Sequence, residues 1–389
     1  MSRPRLGIVV THPIQYQVPL YRLLASRSAV EPIVFFLSEH GLVESFDPGF
    51  GRVVRYDVPM LGGYEHRLVR NRSPKSSLHA PLGMLNPSLP ALIRRSNIDA
   101  LLVHGYNNIS HWLAYSAAIF FKIPYLLRGE SRPDRESRYH PRIMAKHALL
   151  RPLIQHAAAC LAIGDENRTF YRSYGAQPHQ IFFAPYSVDT ERFSTAGALG
   201  RSRRSVMMRS LGLNPEIPLV LFVAKLQPWK RPLDIVMAMD QLACQANLIM
   251  IGDGPLRSDI ENLASGRPWM RVLGFINQSE IAEWYGASDL LILPSSHEPW
   301  GLAINEAMAA GSVPIVADSV GCATDLVTRD VGWVYPTGNV GALADAITEG
   351  CQEGALNRRR AAAQRRSAEY GVASTAEGIE TAVAAVLAR

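Results

Sequence analysis

The chain has 389 residues, a net charge of +6, and a composition that is 48% hydrophobic and 19% charged. This length exceeds one ordinary core, so two domains are expected, and no apolar run approaches the roughly 18 residues of a membrane-spanning helix. The run LGIVV is too short for a signal peptide. The four cysteines, Cys160, Cys244, Cys322 and Cys351, are far apart and show no paired metal spacing, so they imply neither a disulfide framework nor a zinc site. We therefore expect a cytoplasmic protein without a bound metal.

Short apolar runs alternate with helix-like stretches through the first half of the chain. A helix is predicted over 19–28, and the apolar runs are LGIVV, EPIVFFL, DALLVHG, IPYLLRG, CLAIG and IFFAP. Such alternation is typical of a parallel sheet covered by helices. Residues 1–193 are therefore predicted to form one Rossmann-like α/β domain.

The second half repeats this architecture with different residues. Its apolar runs are PLVLFVAK, ANLIMIG, RVLGFI, DLLILP and VPIVAD, and they predict a second Rossmann-like domain over 206–365. Residues 194–205, STAGALGRSRRS, are small, glycine-containing and basic, as in a linker. Residues 366–389 are predicted to be a C-terminal helix that packs back toward the first domain. Two facing domains of this kind would place ligands in a cleft at their strand ends.

A loop-to-helix junction in PSSHEPWGLAINEAMAAG carries two carboxylates, Glu298 and Glu306. The predicted helix begins near Gly301, and the first-turn amides of Gly301, Leu302 and Ala303 form a candidate anion site. Carboxylates beside such a site can accept hydrogen bonds from sugar hydroxyls. Taken alone, however, two acids at this spacing are more often ordinary surface residues.

Two lysines and a histidine lie at predicted strand ends. Lys225 ends PLVLFVAK and Lys230 follows in KLQPWKRP, where point charges suit phosphate oxygens. The alternative is a pair of solvated loop lysines. His104 ends DALLVHG, where a lone histidine is more often structural.

The segment 128–151 is rich in basic residues, and the whole chain is mildly basic. It contains Arg128, Arg132, Arg135, Arg138, Arg142, Lys146 and Arg151 against Glu130, Asp134 and Glu136. One interpretation is a solvated helix face with local ion pairs. The other is a docking patch for an anionic membrane or a lipid-diphosphate acceptor, where each basic residue contributes about 1 kcal/mol. Nucleic acid is not expected as a partner, because aromatics do not interleave with the basic residues.

The segment HEPWGLAINEAMAAGSVPIVADSVGCATDLV resembles the Glu-x7-Glu signature region of the retaining family-four glycosyltransferases. KLQPWKRP resembles the family's Gly-Arg-Leu-x-x-x-Lys element, with Lys225 where arginine is usual and Ala224 in place of glycine. This substitution keeps the charge and loses bidentate geometry. LIMIGDGPLR and IFFAPYSVDTERF also match. The resemblance implies a GT-B architecture, with two facing Rossmann-like domains and an interdomain cleft.

The resemblance also implies roles for individual residues. Lys225 and Lys230 would bind the donor diphosphate, Glu298 the sugar hydroxyls and Glu306 the ribose hydroxyls. The Gly-aromatic turn at Phe275 and Ile276 would line the nucleobase pocket, and His104 would face the donor sugar. The first loop lacks the family's usual glycines, which makes side chains there and at the LLRGES strand end acceptor-side candidates: His12, Gln15, Arg128 and Glu130.

The resulting expectation is a retaining, metal-independent glycosyltransferase that needs no cofactor. It would move a hexose-like sugar from a UDP-, GDP- or other nucleotide-sugar to a saccharide or lipid-linked acceptor, in surface polysaccharide or glycolipid assembly at the inner face of a membrane. Catalysis is assigned to Lys225, Lys230, Glu298 and His104. The rival hypotheses are a nucleotide-sugar 2-epimerase and a non-catalytic nucleotide-sugar-binding partner protein.

Overall fold

The structure is a computed structural model that describes residues 3–47, 49–78, 80–133, 141–242, 245–352 and 354–389. The strands are β1 (Arg5–Val10), β2 (Glu31–Phe36), β3 (Ser45–Asp47), β4 (Arg52–Val54), β5 (Glu65–Leu68), β6 (Ala100–His104), β7 (Tyr125–Arg128), β8 (Ala159–Ala162), β9 (Ile181–Phe183), β10 (Leu219–Val223), β11 (Asn247–Ile251), β12 (Met270–Gly274), β13 (Leu290–Leu293), β14 (Val313–Ala317) and β15 (Trp333–Tyr335). The helices are α1 (Val18–Ser26), α2 (Leu89–Arg95), α3 (Ile109–Phe121), α4 (Pro141–Gln155), α5 (Asp165–Ser173), α6 (Thr190–Ser210), α7 (Pro232–Met239), α8 (Arg257–Ser265), α9 (Gln278–Ala287), α10 (Leu302–Ala310), α11 (Ala323–Leu326), α12 (Val340–Gly350), α13 (Ala355–Glu369) and α14 (Val372–Leu387).

The first compact unit comprises Met1–Val43, Pro59–Ser187 and Val372–Arg389. Its parallel sheet has the order β5-β2-β1-β6-β7-β8-β9. The central strands are buried on both faces, as their continuous apolar sequences predict. The last helix, α14, belongs to this unit and contacts α1, β8 and β9.

The second unit comprises Glu44–Val58 and Val188–Gly371. Its sheet is also parallel, with the order β12-β11-β10-β13-β14-β15. Strand β10 lies between β11 and β13, so the chain reverses direction across the sheet beside β10. In such sheets ligands bind outside the carboxyl ends of the strands at this switch point. The prediction of two Rossmann-like α/β halves is confirmed.

The linker prediction for 194–205 is wrong, because these residues lie inside α6. The glycines that suggested flexibility instead allow close helix packing. A Cβ at Gly197 would lie 2.6 Å from the carbonyl oxygen of Ala310, and one at Gly200 would overlap the carbonyl of Glu283 on α9. On the facing helix, a Cβ at Gly286 would overlap the backbone of Gly197. Glycine therefore marks a tight helix–helix contact here.

The expected bounds of the first domain also differ from the structure. Strands β3 and β4 pair in antiparallel fashion and form the β3–β4 hairpin, which lies within Glu44–Val58 and belongs to the second unit. Part of the first half of the chain is therefore built into the second unit.

The described residues contain no helix that is both long and apolar enough to span a membrane. They also contain no cluster of three or more potential metal ligands. Cys160 and Cys322 are buried and Cys351 is half-buried, whereas Cys244 lies outside the described residues.

Candidate functional site

Lys225 follows β10 at the switch point of the second unit. The loop after β11 packs closely on this position: Leu226 donates its amide to Asp253 O at 2.8 Å, and a Cβ at Gly252 would overlap the carbonyl of Ala224. The Lys225 ammonium donates to both carboxylate oxygens of Asp47, at 2.9 Å each. Burial alone would raise the pKa of Asp47, but Lys225 and the amides of Phe50 and Gly49 outweigh it and lower that pKa.

Lys230 ends a short 3-10 turn at Pro228–Lys230 and reaches the loop that precedes α10. Its ammonium donates to Glu298, and both side chains are largely buried. The backbone holds the two loops together, since the Ser296 amide donates to Trp229 O at 2.8 Å. The structure thus brings together Lys230 and Glu298, two residues that the sequence placed in one site.

Helix α10 begins directly after this loop. Gly301 caps it with φ of 104°, and a Cβ there would lie 3.0 Å from Leu293 Cδ2 and from Val320 Cγ1, so only glycine fits. The first-turn residues Leu302 and Ala303 follow, with amides that have no intrahelical acceptor. The predicted helix start is therefore correct to within one residue.

Glu306 lies on α10 and is buried, which rules out an ordinary surface acid. The Tyr285 hydroxyl of α9 donates to its Oε2 at 2.7 Å. Burial raises the pKa of Glu306 to about 7, although the Tyr285 hydrogen bond and the positive charge of Arg192 oppose the rise. Near neutral pH this carboxyl is therefore divided between its ionised and protonated forms.

Phe275 and Ile276 follow β12, on the opposite side of β11 from Lys225. The Phe275 ring packs edge-on against Phe50 of the hairpin, with centroids 5.0 Å apart. The guanidinium of Arg52 lies over the same ring at 5.4 Å. The carboxyl edge of this sheet therefore carries charged groups near β10 and an aromatic pair near β12.

The first unit gathers a different set of groups at the carboxyl ends of its strands. The hydroxyls of Tyr16 and Tyr186 lie 2.6 Å apart, and Tyr186 also donates to the carboxylate of Glu130. Burial and the negative charge of Glu130 raise the pKa of both tyrosines, so the hydroxyls stay protonated. Arg128 is buried, donates to Pro185 O at 2.8 Å and lies over the Tyr186 ring at 5.6 Å.

His104 ends β6 in the same unit. Burial and the nearby charge of Arg128 hold its pKa well below the ordinary value, so the ring is neutral at pH 7. Its Nδ1 lies 3.5 Å from Gln17 Nε2, and its buried Nε2 has no hydrogen-bond partner among the described residues.

The remaining acceptor-side candidates lie after β1. His12 Nδ1 is 2.9 Å from Thr11 Oγ1, and the His12 ring meets that of His40 edge-on at 5.1 Å. Gln15 is half-buried in the same loop.

The basic segment 128–151 is not a uniform docking patch. Arg128 is buried, and Arg132 forms an ion pair with Glu166, so neither of these is a free surface charge. Lys146 lies over the Phe170 ring at 5.4 Å, whereas Arg142 and Arg151 are exposed on α4. Asp134, Arg135, Glu136 and Arg138 lie outside the described residues.

Several residues at the strand ends of the two units contact the candidate residues but were not singled out from the sequence. Tyr186 lies three residues after the end of β9, so its place after an apolar run was a usable signal. Asp47 precedes Pro-Gly, which is typical of a turn between two strands. Tyr285 gave no signal, because its role depends on the packing of α9 against α10.

Comparison with known proteins matches part of this chain to glycosyltransferases. Residues 204–367 match the family model described as glycosyl transferases group 1. A D-inositol 3-phosphate glycosyltransferase of Xylanimonas cellulosilytica is 31% identical over 231 residues, covering 57% of this chain and 54% of the relative. A sulfoquinovosyl transferase of Arabidopsis thaliana is 32% identical over 166 residues, covering 42% of this chain and 31% of the relative. The chain therefore spans about half or less of these relatives.

Solved structures match over nearly the whole chain. HepE of Anabaena, crystallised with UDP and glucose, has a TM-score of 0.68 at 18% identity and covers 98% of this chain and 100% of its own. A glycosyltransferase of Rickettsia africae has a TM-score of 0.74 at 15% identity and covers 100% of this chain and 99% of its own. These likenesses show that the fold is shared.

Proposed function

We propose that this chain, whose residues 204–367 belong to the group 1 glycosyltransferases, moves a hexose-like sugar from a nucleoside diphosphate to an acceptor hydroxyl. The acceptor is a saccharide or a lipid-linked saccharide, and the sugar keeps its anomeric configuration. HepE forms a complex with UDP and glucose, and one relative is a GDP-mannose-dependent mannosyltransferase of Mycobacterium tuberculosis that acts on a phosphatidylinositol dimannoside. These two proteins support a nucleotide-sugar donor and a surface glycolipid or polysaccharide role.

The contact that carries this proposal is the one between Lys230 and Glu298. It places an ammonium group beside the loop that leads into the first-turn amides of α10. Lys225 supplies a second cation at the end of the neighbouring strand β10. Ammonium groups and a helix N-terminus together favour a bound diphosphate.

The proposed reaction follows from this charge distribution. The bond between the anomeric carbon and the diphosphate oxygen breaks, and its electron pair goes to the diphosphate. Lys225, Lys230 and the α10 amides neutralise that negative charge, which a metal ion does in other enzymes. The acceptor oxygen bonds to the same face of the anomeric carbon, and its proton passes to the departing diphosphate oxygen.

The carboxylates hold the donor in place during this step. Glu298 accepts hydrogen bonds from hydroxyls of the transferred sugar, and Glu306 accepts them from the ribose. Glu306 does so in its ionised form. Because its pKa is raised to about 7, only part of the protein carries the ionised carboxylate at pH 7. In the first unit, we assign the acceptor hydroxyls to the neutral ring of His104 and the Tyr186–Glu130 pair.

The first experiment identifies the donor by thermal shift with UDP, GDP, ADP and CDP. A nucleotide at about 100 times its dissociation constant adds about 2.7 kcal/mol to the free energy of unfolding. We expect one nucleoside diphosphate to raise the melting temperature well above the others. No shift with any of them would contradict the proposal.

The second experiment separates the rival functions with the matching nucleotide-sugar. Slow release of the nucleoside diphosphate, accelerated by an acceptor, is expected for a transferase. Proton NMR of the product then reads the anomeric configuration. Formation of an isomeric sugar without any acceptor would instead indicate a 2-epimerase, and tight binding without turnover would indicate a binding partner.

A further inference from the structure

We propose that the β3–β4 hairpin covers the donor site, with the Asp47 carboxylate held at Lys225 where the donor diphosphate binds, so that the donor must displace the hairpin. This inference rests on the proposed function, because it assigns Lys225 to the diphosphate.

Asp47 is held at Lys225 in the way that an anionic ligand would be. Both of its carboxylate oxygens lie 2.9 Å from Lys225 Nζ. The Oδ1 atom also accepts the amide of Gly49 at 2.7 Å and that of Phe50 at 3.1 Å. An ammonium group and two backbone amides on one carboxylate are also the donor set that phosphate oxygens use.

The turn of the hairpin is shaped to lie against the lysine. A Cβ at Gly49 would lie 2.6 Å from Lys225 Nζ, so glycine lets the side chain pass along the turn. Lys225 Nζ lies over the Phe50 ring at 4.7 Å, and Gln227 Nε2 donates to Gly49 O at 2.6 Å. The hairpin thus encloses the charge that the diphosphate needs.

The same hairpin reaches the candidate nucleobase position. Phe50 and Arg52 both lie against Phe275, and Arg52 pairs with Asp253 at 3.5 Å. Beyond β4, Asn277 Nδ2 donates to Arg55 O at 2.7 Å. One short segment therefore contacts both the diphosphate end and the base end of the site.

The construction of the hairpin suits displacement. It has only two strands, β3 and β4, and an isolated two-stranded hairpin is marginally stable. Its outer side chains are poorly packed, since Phe46 is 61% exposed and Val53 is 54% exposed. A diphosphate carries more negative charge than one carboxylate, so it competes well for Lys225.

The test compares nucleotide binding by the wild type and Asp47→Asn, which keeps size and removes the charge. Calorimetry with UDP and GDP should give a dissociation constant at least about threefold lower for the variant, because no carboxylate competes for the lysine. The matched control is Glu44→Gln, an exposed acid of the same segment that pairs with Arg55 at 3.9 Å, and it should bind like the wild type. An unchanged or weaker affinity of Asp47→Asn would overturn the inference.

Hydrogen exchange of the wild type provides an independent measurement. Saturating nucleotide should accelerate exchange of the amides over 49–54 if the hairpin leaves the site. Slower exchange would mean that the hairpin closes on the ligand, and this would overturn the inference. If neither the wild type nor Asp47→Asn binds any nucleotide, the proposed function itself fails. Equal binding by both removes only the role of the hairpin.

Discussion

The polar groups at the strand ends of the two units differ in their charge. In the second unit several candidate residues form ion pairs of opposite charge, as in Lys225 with Asp47 and Lys230 with Glu298. In the first unit they are mostly neutral, with tyrosine hydroxyls that stay protonated and an unprotonated His104. The same α/β architecture therefore supports two chemistries. One suits an anion that departs with its charge, and the other suits hydroxyl groups.

The largest effect is expected for Lys230→Ala in the second unit. Loss of one charged contact to the leaving diphosphate costs about 2 kcal/mol, so we expect turnover to fall by more than about tenfold. Steady-state kinetics with saturating donor and acceptor measure the effect.

Two further variants make that result specific to the charge. Lys230→Arg should retain part of the activity, because it keeps the positive charge. Lys75→Ala, at an exposed lysine of the first unit, should be silent. Normal turnover by a folded Lys230→Ala protein would remove the second unit's role in handling the anion.

Two carboxyl groups of the second unit differ, because burial raises the pKa of Glu306 to about 7, whereas Lys225 lowers the pKa of Asp47. If only the ionised form binds ribose hydroxyls, nucleotide affinity should rise about tenfold from pH 6 to pH 8, as the ionised fraction does. Calorimetry across this range measures the change. Glu306→Gln should bind more weakly at pH 8 and show a much flatter pH profile.

The stability of the protein gives a check on the same carboxyl. Its folded pKa lies above the unfolded value of 4.5, so folding takes up a proton between these values. The stability of the wild type relative to Glu306→Gln should therefore fall as pH rises from about 4.5 to about 7 and then level off. A constant difference across this range would show that the carboxyl is not buried as described.

The smallest expected effect concerns Tyr186 in the first unit. Tyr186→Phe removes the hydroxyl that donates to Glu130 and meets Tyr16. A hydrogen bond from this hydroxyl to a neutral acceptor hydroxyl would contribute about 1 kcal/mol, so the acceptor KM should rise about fivefold, while the donor KM stays unchanged.

Tyr125→Phe is the matched control for this variant. Tyr125 is also a buried tyrosine, and it lies at the amino end of β7. Its hydroxyl donates to Leu153 O at 2.7 Å. It should leave both KM values unchanged. A shift of the donor KM in Tyr186→Phe would place this hydroxyl on the donor instead.

The sequence predicted those parts of the fold in which local pattern and tertiary environment agree. Strands such as β1, β10 and β13 are buried on both faces, so their unbroken apolar runs identified them. The edge strand β5 was missed, because its sequence EHRL is polar. The Gly-rich segment in α6 misled, because glycine serves flexible linkers and close helix contacts equally well.

The candidate site also contains residues that local sequence predicted and residues that it did not. Lys225, Lys230 and the helix start at Gly301 were predicted from strand ends and turn residues, which are local features of the sequence. The partners of Lys225 and Glu306 were not predicted, since Asp47 reaches Lys225, and Tyr285 reaches Glu306, through long-range packing. Charge pairing and burial are therefore what the structure adds.

The path of the chain through the two units affects how the protein can be divided. A fragment cut after Ser187 would take Glu44–Val58 away from the body on which it packs, and would leave Val372–Arg389 attached to the wrong piece. The isolated later fragment would present Lys225 without its carboxylate. The protein therefore has to be divided along its two spatial units rather than at the midpoint of its sequence. A fragment of the second unit needs the hairpin segment, either added as a separate peptide or joined to it by circular permutation.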